Sequence, residues 1–561
     1  MADGDMNMTD YDETRATFAL DVPERFNYTR DVIDAWAERD PDKLALIAVE
    51  DDGTTAQRLS FADLSHRADR AAAFLSSLGV SAGDRLFVML PRVVEWYDVL
   101  LGAFKIGAVP MPATTQLQTN DIAYRIARSQ STVAITDADG SGKIDAARDR
   151  CPDLAHLITT GDAVGDWRSL ADGMDNTDDP APAHDTAADD PLLIYFTSGT
   201  TGHPKMVPHT HASYGIGHQV TARFWHDLRP DDVHWTVSDT GWAKAAWGKL
   251  FGQWSIGSAV VMWNPQGKPD FTTMAAMIAG HDVTTFCAPP TIYRALVQLD
   301  LSEYDFSTLR HCTAAGEPLN PETFEAWKDA TGTEVHDGYG QTETVNIVAN
   351  FRCVPIKPGS MGKPVPGFDL AVVDDDLNEL DPGNEGQIAV RITPDRPVGL
   401  FSAYWDDDEA NATSFRGDWY LTGDRAHIDE DGYFWFVSRD DDIIISAGYR
   451  IGPFEVESAI IEHPGVAETA VIGVPDSERG QVVKAFVVLA DDHAASDDLA
   501  TEIQDHVKTT TAPYKYPRYV EFVDELPKTV SGKVRRVELR ERDGVEEAAD
   551  ATDAAETRDD R

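Results

Sequence analysis

The sequence has few cysteines and little positive charge. Its 561 residues include four cysteines, far apart and without CxxC spacing. Such single cysteines indicate neither a disulfide framework nor a structural zinc site. The 48 lysine and arginine residues are outnumbered by 96 aspartate and glutamate residues, so the net charge is −48. A field of this sign repels nucleic acid and anionic membranes, and neither is an expected partner.

The chain also lacks a long apolar run and a leader-like start. No stretch approaches the roughly 20 apolar residues of a membrane-spanning helix. The first residues, MADGDMNMTDYDET, are acidic and polar, unlike a signal peptide. These absences predict a cytoplasmic protein, and the excess of acidic residues predicts a salt-adapted, halophilic surface.

The apolar content is sufficient for more than one domain. Hydrophobic residues make up 42% of the chain, and its length exceeds that of one ordinary core. Strand-like segments such as RLFVML, STVAITD and LLIYF alternate with helical ones to about residue 350, which is typical of α/β layers. Within this region the stretch 161–191 is rich in Asp, Ala and Pro, which indicates a surface connection. Short strands with turns follow, and after Arg439 a strand–helix–strand–strand order predicts a small α+β domain.

We therefore predict an α/β fold with a large N-terminal domain and a small, mobile α+β C-terminal domain. The large domain would contain layered α/β subdomains and a β-rich subdomain. The predicted limits are 1–25 for a disordered N-terminus and 26–439 for the large domain. Residues 440–543 would form the small domain, and 544–561 a disordered acidic tail.

A glycine- and hydroxyl-rich loop, YFTSGTTGHPK, spans residues 195–205 and follows the apolar segment LLIYF. It is not a Walker A loop, because no GK[ST] closes it. Glycines permit close approach of the backbone to a phosphate, while hydroxyls and an ammonium bind its oxygens. The groups that would do so are Thr197, Ser198, Gly199, Thr200, Thr201, Gly202 and Lys205. The loop alone favours phosphate binding and leaves a plain turn as the alternative.

Five further motifs follow this loop along the chain. They are AAGEP (314–318), DGYGQTE (337–343), YLTGD (420–424), SRDDDIIISAGYRIGPFEVE (438–457) and LPKTVSGKVRR (526–536). In order and spacing, the six motifs resemble those of the AMP-forming acyl-CoA synthetases of the adenylate-forming superfamily, over roughly residues 26–540. The segments FNYTRDVIDAWA, MLPRVVEWY and AVPMPATTQLQTNDIAYRIARSQ resemble the medium-chain branch.

The resemblance implies an acid–thiol ligase that uses ATP, Mg²⁺ and CoA. Such an enzyme converts a carboxylate and ATP to acyl-AMP and pyrophosphate, then transfers the acyl group to CoA. The 197–205 loop would enclose the β- and γ-phosphates, and the AMP-binding adenylation domain would be residues 26–439. Glu343 would bind Mg²⁺, since this hard cation prefers carboxylate oxygen. Thr342 would donate to the α-phosphate.

The remaining nucleotide contacts follow from the same resemblance. Lys533 would stabilise charge at the α-phosphate and carboxylate oxygens during adenylation. The adenine slot, the ribose contacts and their neighbours would be Gly316, Glu317, Pro318, Asp337, Gly338, Tyr339, Gly340, Gln341, Asp424 and Arg439.

The resemblance also implies rotation of the C-terminal domain between the two half-reactions, with Asp441 as the hinge. After rotation, the segment SAGYR would face the active site. The candidate CoA-binding residues are Gly448, Tyr449, Arg450, Arg479, Lys515 and Arg518.

The acid is predicted from Trp242 and Gly340, which would line the acyl pocket. Acetyl-CoA synthetases carry a tryptophan, in WWQTE, where this chain has Gly340, and the glycine would leave room for more methylenes. We expect a medium-length acid of about C4–C10. A short acid such as acetate or propionate, an aromatic acid such as benzoate, and a ligase that loads a carrier protein remain alternatives. Whether the chain is a monomer or a homodimer does not follow from the sequence.

Overall fold

The computed structural model describes residues 6–177, 183–197, 204–316, 321–439, 442–446, 449–476, 479–490, 493–511, 514–528 and 534–544. The chain divides into two compact units. The larger comprises Met1–Thr422 and His427–Phe436, and the smaller comprises Gly423–Ala426 and Val437–Arg561. Both contain helices and sheets, and the predicted fold class is confirmed.

A nine-stranded sheet is the centre of the larger unit. Its strands, in spatial order, are Lys363–Pro364, Val348–Ala349, Val335–Tyr339, His311–Ala314, Thr285–Ala288, Val233–Thr236, Ala259–Trp263, Leu44–Val49 and Thr55–Ser60. The six strands from Val335–Tyr339 to Leu44–Val49 are parallel, and the flanking strands are antiparallel. The carboxyl ends of the parallel strands therefore share one edge, where ligands bind in open α/β sheets.

A second sheet and a hairpin lie earlier in the chain. The second sheet is wholly parallel, with the order Val109–Pro112, Arg85–Met89, Val133–Thr136, His156–Thr159 and Trp167–Ser169. The hairpin pairs Pro191–Thr197 with Lys205–Thr210. Ile194, Phe196 and Met206 of the hairpin pack into the apolar core of this sheet, so the hairpin is anchored by its apolar side chains.

Helices cover these sheets. The α-helices of the larger unit are Tyr11–Thr17, Ala35–Arg39, Phe61–Ser77, Val94–Lys105, Thr119–Ser129, Ala138–Ala147, Leu170–Asp175, His218–Val220, Ala243–Gly248, Phe251–Ile256, Phe271–Gly280, Pro290–Leu296, Pro321–Thr331 and Asp408–Ser414. Wider π-type turns occur at Thr29–Asp34, His211–Ile216 and Thr221–Trp225, and 3₁₀ turns at Arg148–Arg150 and Leu301–Glu303.

A third sheet follows the nine-stranded one along the chain. Its strands are Leu370–Val373, Glu385–Arg391, Trp419–Ile428, Phe415–Arg416 and Phe434–Arg439. The smaller unit has its own sheet, with the strands Tyr449–Ile451, Ile444–Ser446, Gly480–Leu489, Val466–Asp476 and Tyr519–Phe522. Its helices are Pro453–Ile461, Asp497–Thr510 and Arg536–Arg542. Among the described residues, no helix is both long and apolar enough to cross a membrane.

Two segments differ from the predictions. Residues 6–25, predicted to be disordered, include the helix Tyr11–Thr17, because Met8 and Tyr11 are buried and the Tyr11 hydroxyl donates to the Pro364 carbonyl at 2.9 Å. The stretch 161–191, interpreted as a surface connection, contributes the strand Trp167–Ser169 to the second sheet. All but the first residue of the predicted acidic tail lie outside the described residues.

Candidate functional site

The hairpin fixes both ends of the predicted phosphate loop. Thr197 pairs with Lys205 across its two strands. Ser198, Gly199, Thr200, Thr201 and Gly202 lie outside the described residues. The Lys205 ammonium lies 4.9 Å from the centre of the Tyr404 ring, within the range of a cation–π contact. The lysine that ends the loop is thereby held at Tyr404.

The same tyrosine contacts Glu343. The Tyr404 hydroxyl donates to Glu343 Oε1 at 2.9 Å, and both residues are buried. Burial, and then the negative charge of Glu343, raise the pKa of Tyr404, so its hydroxyl stays protonated and remains a donor. One side chain therefore links the predicted Mg²⁺ ligand to the end of the predicted phosphate loop.

A short backbone segment places Tyr404 between these two groups. The amide of Phe401 donates to the Glu343 carbonyl at 2.9 Å, and the amide of Trp405 donates to the Met206 carbonyl at 3.0 Å. The sequence interpretation missed Tyr404, which lies in none of the six motifs. Its proximity to both groups depends on long-range pairing, for which the sequence carries no local signal.

Two aromatic side chains hold the Thr342 backbone beside Glu343. The Thr342 carbonyl accepts hydrogen bonds from His209 Nε2 at 2.7 Å and from the Tyr214 hydroxyl at 2.6 Å. Burial lowers the pKa of His209 to about 3, so the imidazole is neutral, with Nδ1 bonded to Ser213 Oγ at 3.0 Å. Both His209 and Tyr214 follow the loop closely in sequence, and neither was predicted.

Gln341 ties this turn to the third sheet. Its Oε1 accepts from the Tyr420 hydroxyl at 3.0 Å, and its Nε2 donates to the Thr422 carbonyl at 2.8 Å. The Gln341 amide donates to Thr344 Oγ1 at 2.9 Å. The GQTE turn is therefore fixed by hydrogen bonds on both sides of Glu343.

The predicted adenine slot lies at the carboxyl-terminal edge of the nine-stranded sheet. The strands His311–Ala314 and Val335–Tyr339 are parallel neighbours there, which brings the AAGEP and DGYGQTE motifs together. Gly316 is exposed with a φ of +114°, and, its chain neighbours aside, no atom of the described residues lies within 4 Å of the position that a Cβ would take. A ligand could approach its backbone closely. Glu317 and Pro318 lie outside the described residues.

The other residues of the slot belong to the strand Val335–Tyr339 or follow it. Asp337 is buried, and its Oδ1 accepts from the Gly338 amide at 2.9 Å. Tyr339 is half-buried at the end of the strand. Stacking of its ring on a base stays a prediction.

An indole and a backbone carbonyl lie close to Gly340. A Cβ on Gly340 would lie 2.5 Å from Trp247 Cη2 and 2.4 Å from the Val345 carbonyl oxygen. The indole of Trp247, on the helix Ala243–Gly248, therefore packs directly against the glycine. Sequence spacing does not show which side chain fills the space beside a glycine, and the role of Gly340 in opening the acyl pocket stays a prediction.

The other predicted pocket residue is Trp242. It is half-buried and immediately precedes the helix Ala243–Gly248. A second indole, that of Trp225, packs against Gly338 in the way that Trp247 packs against Gly340, and the two rings meet edge to face at 6.1 Å between centroids. Two tryptophans thus cover the DGYG segment.

Asp424 and Arg439, the predicted ribose and phosphate contacts, lie on strands of the third sheet. Asp424 is buried on Trp419–Ile428, whereas Arg439 is exposed at the end of Phe434–Arg439. Asp441, the predicted hinge, and Lys533, the predicted adenylation lysine, follow later in the chain. Both lie outside the described residues.

The CoA candidates of the smaller unit differ in their surroundings. Tyr449 is 53% exposed and stacks on Tyr514 at 4.3 Å between ring centroids. The Lys515 ammonium is paired with Glu455, and the Arg518 guanidinium lies 4.5 Å from the centre of the Tyr516 ring. These pairings make both cations less available to phosphate than an exposed cation would be.

The structure describes fewer contacts for the other three CoA candidates. Arg479 is exposed, and its amide donates to Asp476 Oδ1 at 2.9 Å. Gly448 lies outside the described residues, and only the backbone of Arg450 is described, where it pairs with Ile445.

Comparison with known proteins decides the family. Residues 33–405 match the AMP-binding enzyme family, and residues 455–533 match the AMP-binding enzyme C-terminal domain. The chain belongs to the AMP-binding enzyme family. The predicted resemblance, and with it the class of acid–thiol ligase, is confirmed.

Relatives within the family are similar over nearly the whole chain. Acyl-coenzyme A synthetase ACSM3, mitochondrial, from Mus musculus is 47% identical over 96% of this chain and 94% of its own length. Acyl-coenzyme A synthetase ACSM4, mitochondrial, from Homo sapiens is 45% identical over 93% of this chain and 91% of its own length. The crystal structure of the anthranilate CoA ligase AuaEII with anthranoyl-AMP has a TM-score of 0.85, 31% identity, and coverage of 93% of this chain and 98% of that one.

These relatives correct one prediction. A cytoplasmic location was inferred from the acidic start of the chain, whereas these synthetases are named as mitochondrial proteins. The cytoplasmic prediction is therefore wrong by this comparison. The composition of the first residues is weak evidence of location, because it reports only which targeting signals they resemble.

Proposed function

We propose that this enzyme is an AMP-forming acyl-CoA synthetase for medium-length carboxylic acids of about C4–C10. The observation that supports it best is the contact of Tyr404 with both Glu343 and Lys205. It holds a carboxylate and an ammonium at one place beside the loop end, as an enzyme that binds a metal–triphosphate requires.

The reaction has two steps. A carboxylate oxygen of the acid attacks the α-phosphorus of ATP, the bond to the β-phosphate oxygen breaks, and pyrophosphate leaves. The CoA sulfur then attacks the acyl carbon, its proton is lost, and AMP leaves with the oxygen that came from the acid. The acid is itself the nucleophile, so the protein has to position the reactants and stabilise charge.

The nucleotide-binding residues have separate roles in this proposal. The 197–205 loop binds the β- and γ-phosphates, and Thr342 donates to the α-phosphate. Glu343 holds Mg²⁺, which fits because its carboxylate is fixed by a donor on Oε1. When bound, Mg²⁺ would neutralise charge on the phosphate oxygens. Lys533 stabilises the charge that develops during adenylation.

The base, ribose and CoA contacts complete the proposal. The segments 316–318 and 337–341 form the adenine slot, while Asp424 and Arg439 bind the ribose side. The CoA site comprises Gly448, Tyr449, Arg450, Arg479, Lys515 and Arg518. The C-terminal domain, residues 440–543, rotates about Asp441 between the steps.

Pyrophosphate release against a panel of acids, from acetate to decanoate and including benzoate, tests the function. The assay should be run in molar KCl with CoA or with a carrier protein as acceptor. We expect the highest kcat/KM with a C4–C10 acid and acyl transfer to CoA. Transfer to the carrier alone would instead identify a carrier-loading ligase, and no release with any acid would reject the proposal.

Replacing Tyr404 with phenylalanine should weaken the magnesium site. The change removes the hydroxyl that donates to Glu343 Oε1 and keeps the ring beneath Lys205. Loss of a hydrogen bond to a metal ligand typically costs about 10-fold or more in metal affinity. We expect the Mg²⁺ concentration for half-maximal ATP binding, measured by calorimetry without acid, to rise by about that factor.

Tyr293→Phe is the matched control. It also removes a buried tyrosine hydroxyl, but one that donates to the Thr313 carbonyl at 3.0 Å and not to Glu343 or its turn. Its Mg²⁺ dependence should stay like that of the unmodified enzyme. If both variants shift the Mg²⁺ dependence equally, Tyr404 has no specific role toward Glu343.

A second candidate substrate class follows from Trp247. Its indole fills the space beside Gly340, which favours a short or flat aromatic acid over a long chain, and AuaEII, similar in structure, is an anthranilate CoA ligase. Replacing Trp247 with leucine would free space for methylenes, each worth about 0.8 kcal/mol when buried. We expect kcat/KM for decanoate relative to butyrate to rise by about 10-fold for two methylenes gained.

Trp225→Leu provides the comparison for this change. Trp225 packs against Gly338 rather than Gly340, so its loss removes the same volume beside a different glycine. Its chain-length profile should remain unchanged. An unchanged profile in Trp247→Leu would show that Trp247 does not limit the acyl chain.

The net charge of −48 further suggests a salt-adapted protein. Repulsion among the acidic side chains destabilises the folded state until ions screen it, and the screening length falls from about 10 Å at 0.1 M salt to about 3 Å at 1 M. We expect the midpoint of thermal unfolding to rise steadily from 0.1 M to 3 M KCl. A midpoint that does not depend on salt would contradict this.

A further inference from the structure

One buried and one half-buried cation line a small cavity beside the nine-stranded sheet. Lys249 follows the helix Ala243–Gly248, and only 2% of its surface is exposed. Arg92 lies just before the helix Val94–Lys105. Both side chains line the same cavity of about 20 Å³.

These two cations have more hydrogen-bond donors than the described residues supply acceptors for. Lys249 Nζ donates to the Thr236 carbonyl at 2.9 Å, which uses one of its three donors. Arg92 Nε is buried without an acceptor among the described residues. Within the same part of the chain, neither cation forms an ion pair with a carboxylate. Buried charge without such compensation is strongly unfavourable.

The nearby charges leave the cavity positive. Burial, followed by the charge of Arg92, lowers the pKa of Lys249 to about 7, while Asp239 and Cys287 act in the opposite direction. Asp239 is also the charge that opposes the effect of burial on Arg92. One carboxylate therefore acts on two cations, and its Oδ1 already accepts from the Gly241 amide at 2.9 Å.

We propose that this cavity binds one halide ion, held by Lys249 Nζ and Arg92 Nε. A cavity of this size has room for about one water-sized particle, which suits a monatomic anion better than a phosphate or a carboxylate. The indoles of Trp235 and Trp263 also line it, and Ser238 lies beside them. The residues that line the cavity include neither Glu343 nor a residue of the six motifs, and the proposal does not depend on the identity of the acid.

Diffraction from crystals of the unmodified protein grown in sodium bromide tests this without any mutation. We expect an anomalous bromide peak in contact with both Lys249 Nζ and Arg92 Nε. Absence of the peak would overturn the proposal. Displacement of the peak by a soaked substrate acid would also overturn it, because the cavity would then be part of the acid site.

Thermal unfolding in sodium chloride and in sodium gluconate, at equal sodium concentration, gives an independent test. A bound ligand stabilises only the folded state, so the midpoint in chloride should be higher by about 2 °C or more. Lys249→Met should abolish this difference. Lys268→Met removes an exposed positive charge nearby and should retain it.

The difference should also depend on pH. An anion favours the protonated ammonium, and the depressed pKa of Lys249 means that this form is lost as the pH rises through about 7. The chloride-specific difference should therefore be larger at pH 6 than at pH 9. Equal midpoints in the two salts at pH 6 would reject the halide site.

Discussion

Replacing Lys533 with alanine should slow acyl-adenylate formation by about 100-fold or more, the cost of losing a key electrostatic donor. Transfer of the acyl group from supplied acyl-AMP to CoA should be largely retained, because the ammonium is needed only while charge develops at the α-phosphorus. Pyrophosphate release and acyl-CoA formation, measured separately, provide the two rates. Equal loss of both would reject the proposed role.

Lys528→Ala is the control for Lys533. It removes an ammonium from the same LPKTVSGK segment, where Lys528 is paired with Glu468. Neither half-reaction should change in this variant.

Asp441→Pro should give the reverse of Lys533→Ala, since proline fixes φ at a residue that must change its backbone angles if it is the hinge. Adenylation would persist and acyl transfer would fail.

Replacing Glu343 with glutamine should reduce kcat/KM for the pyrophosphate-forming step by about 100-fold or more. The amide keeps the size of the side chain and an oxygen that can accept from Tyr404, but it removes the negative charge that binds a hard cation. Because the loss acts on metal binding, calorimetry should also show much weaker Mg²⁺-dependent binding of ATP.

The control for this charge change is Glu325→Gln, at an exposed position of the helix Pro321–Thr331. Both rates and the Mg²⁺ dependence should match those of the unmodified enzyme. A Glu343→Gln enzyme with normal Mg²⁺-dependent ATP binding would show that this carboxylate is not the metal ligand.

The order of the motifs allowed much of the fold and part of the site to be predicted. Alternating strands and helices indicated the α/β layers, and the parallel register of His311–Ala314 and Val335–Tyr339 brings the two adenine motifs to one edge. Glu343 is buried beside the loop end, where the resemblance implied a metal ligand.

Contacts between distant segments could not be predicted. Tyr404 reaches Glu343 and Lys205 through pairing of residues about 60 and 200 positions apart, and no local pattern records such pairing. The indole of Trp247 fills the space beside Gly340 because of how one short helix packs, whereas the sequence shows only that the residue is a glycine.

The acidic N-terminus shows what prediction from composition misses. Its composition is typical of disorder, yet Met8 and Tyr11 are buried. A few apolar side chains can order a polar segment when they are buried against another part of the fold. The average composition of the segment does not reveal these few residues. The same averaging led to the interpretation of 161–191 as a connection.

Transfer of ¹⁸O from the labelled acid tests the central claim, that this protein makes acyl-CoA through an acyl-adenylate. The enzyme would be incubated with carboxyl-labelled octanoate, ATP, Mg²⁺ and CoA, and the products analysed by mass spectrometry. Our account predicts one ¹⁸O atom in each AMP formed and none in pyrophosphate. Label in inorganic phosphate, or acyl-CoA formed with unlabelled AMP, would contradict it.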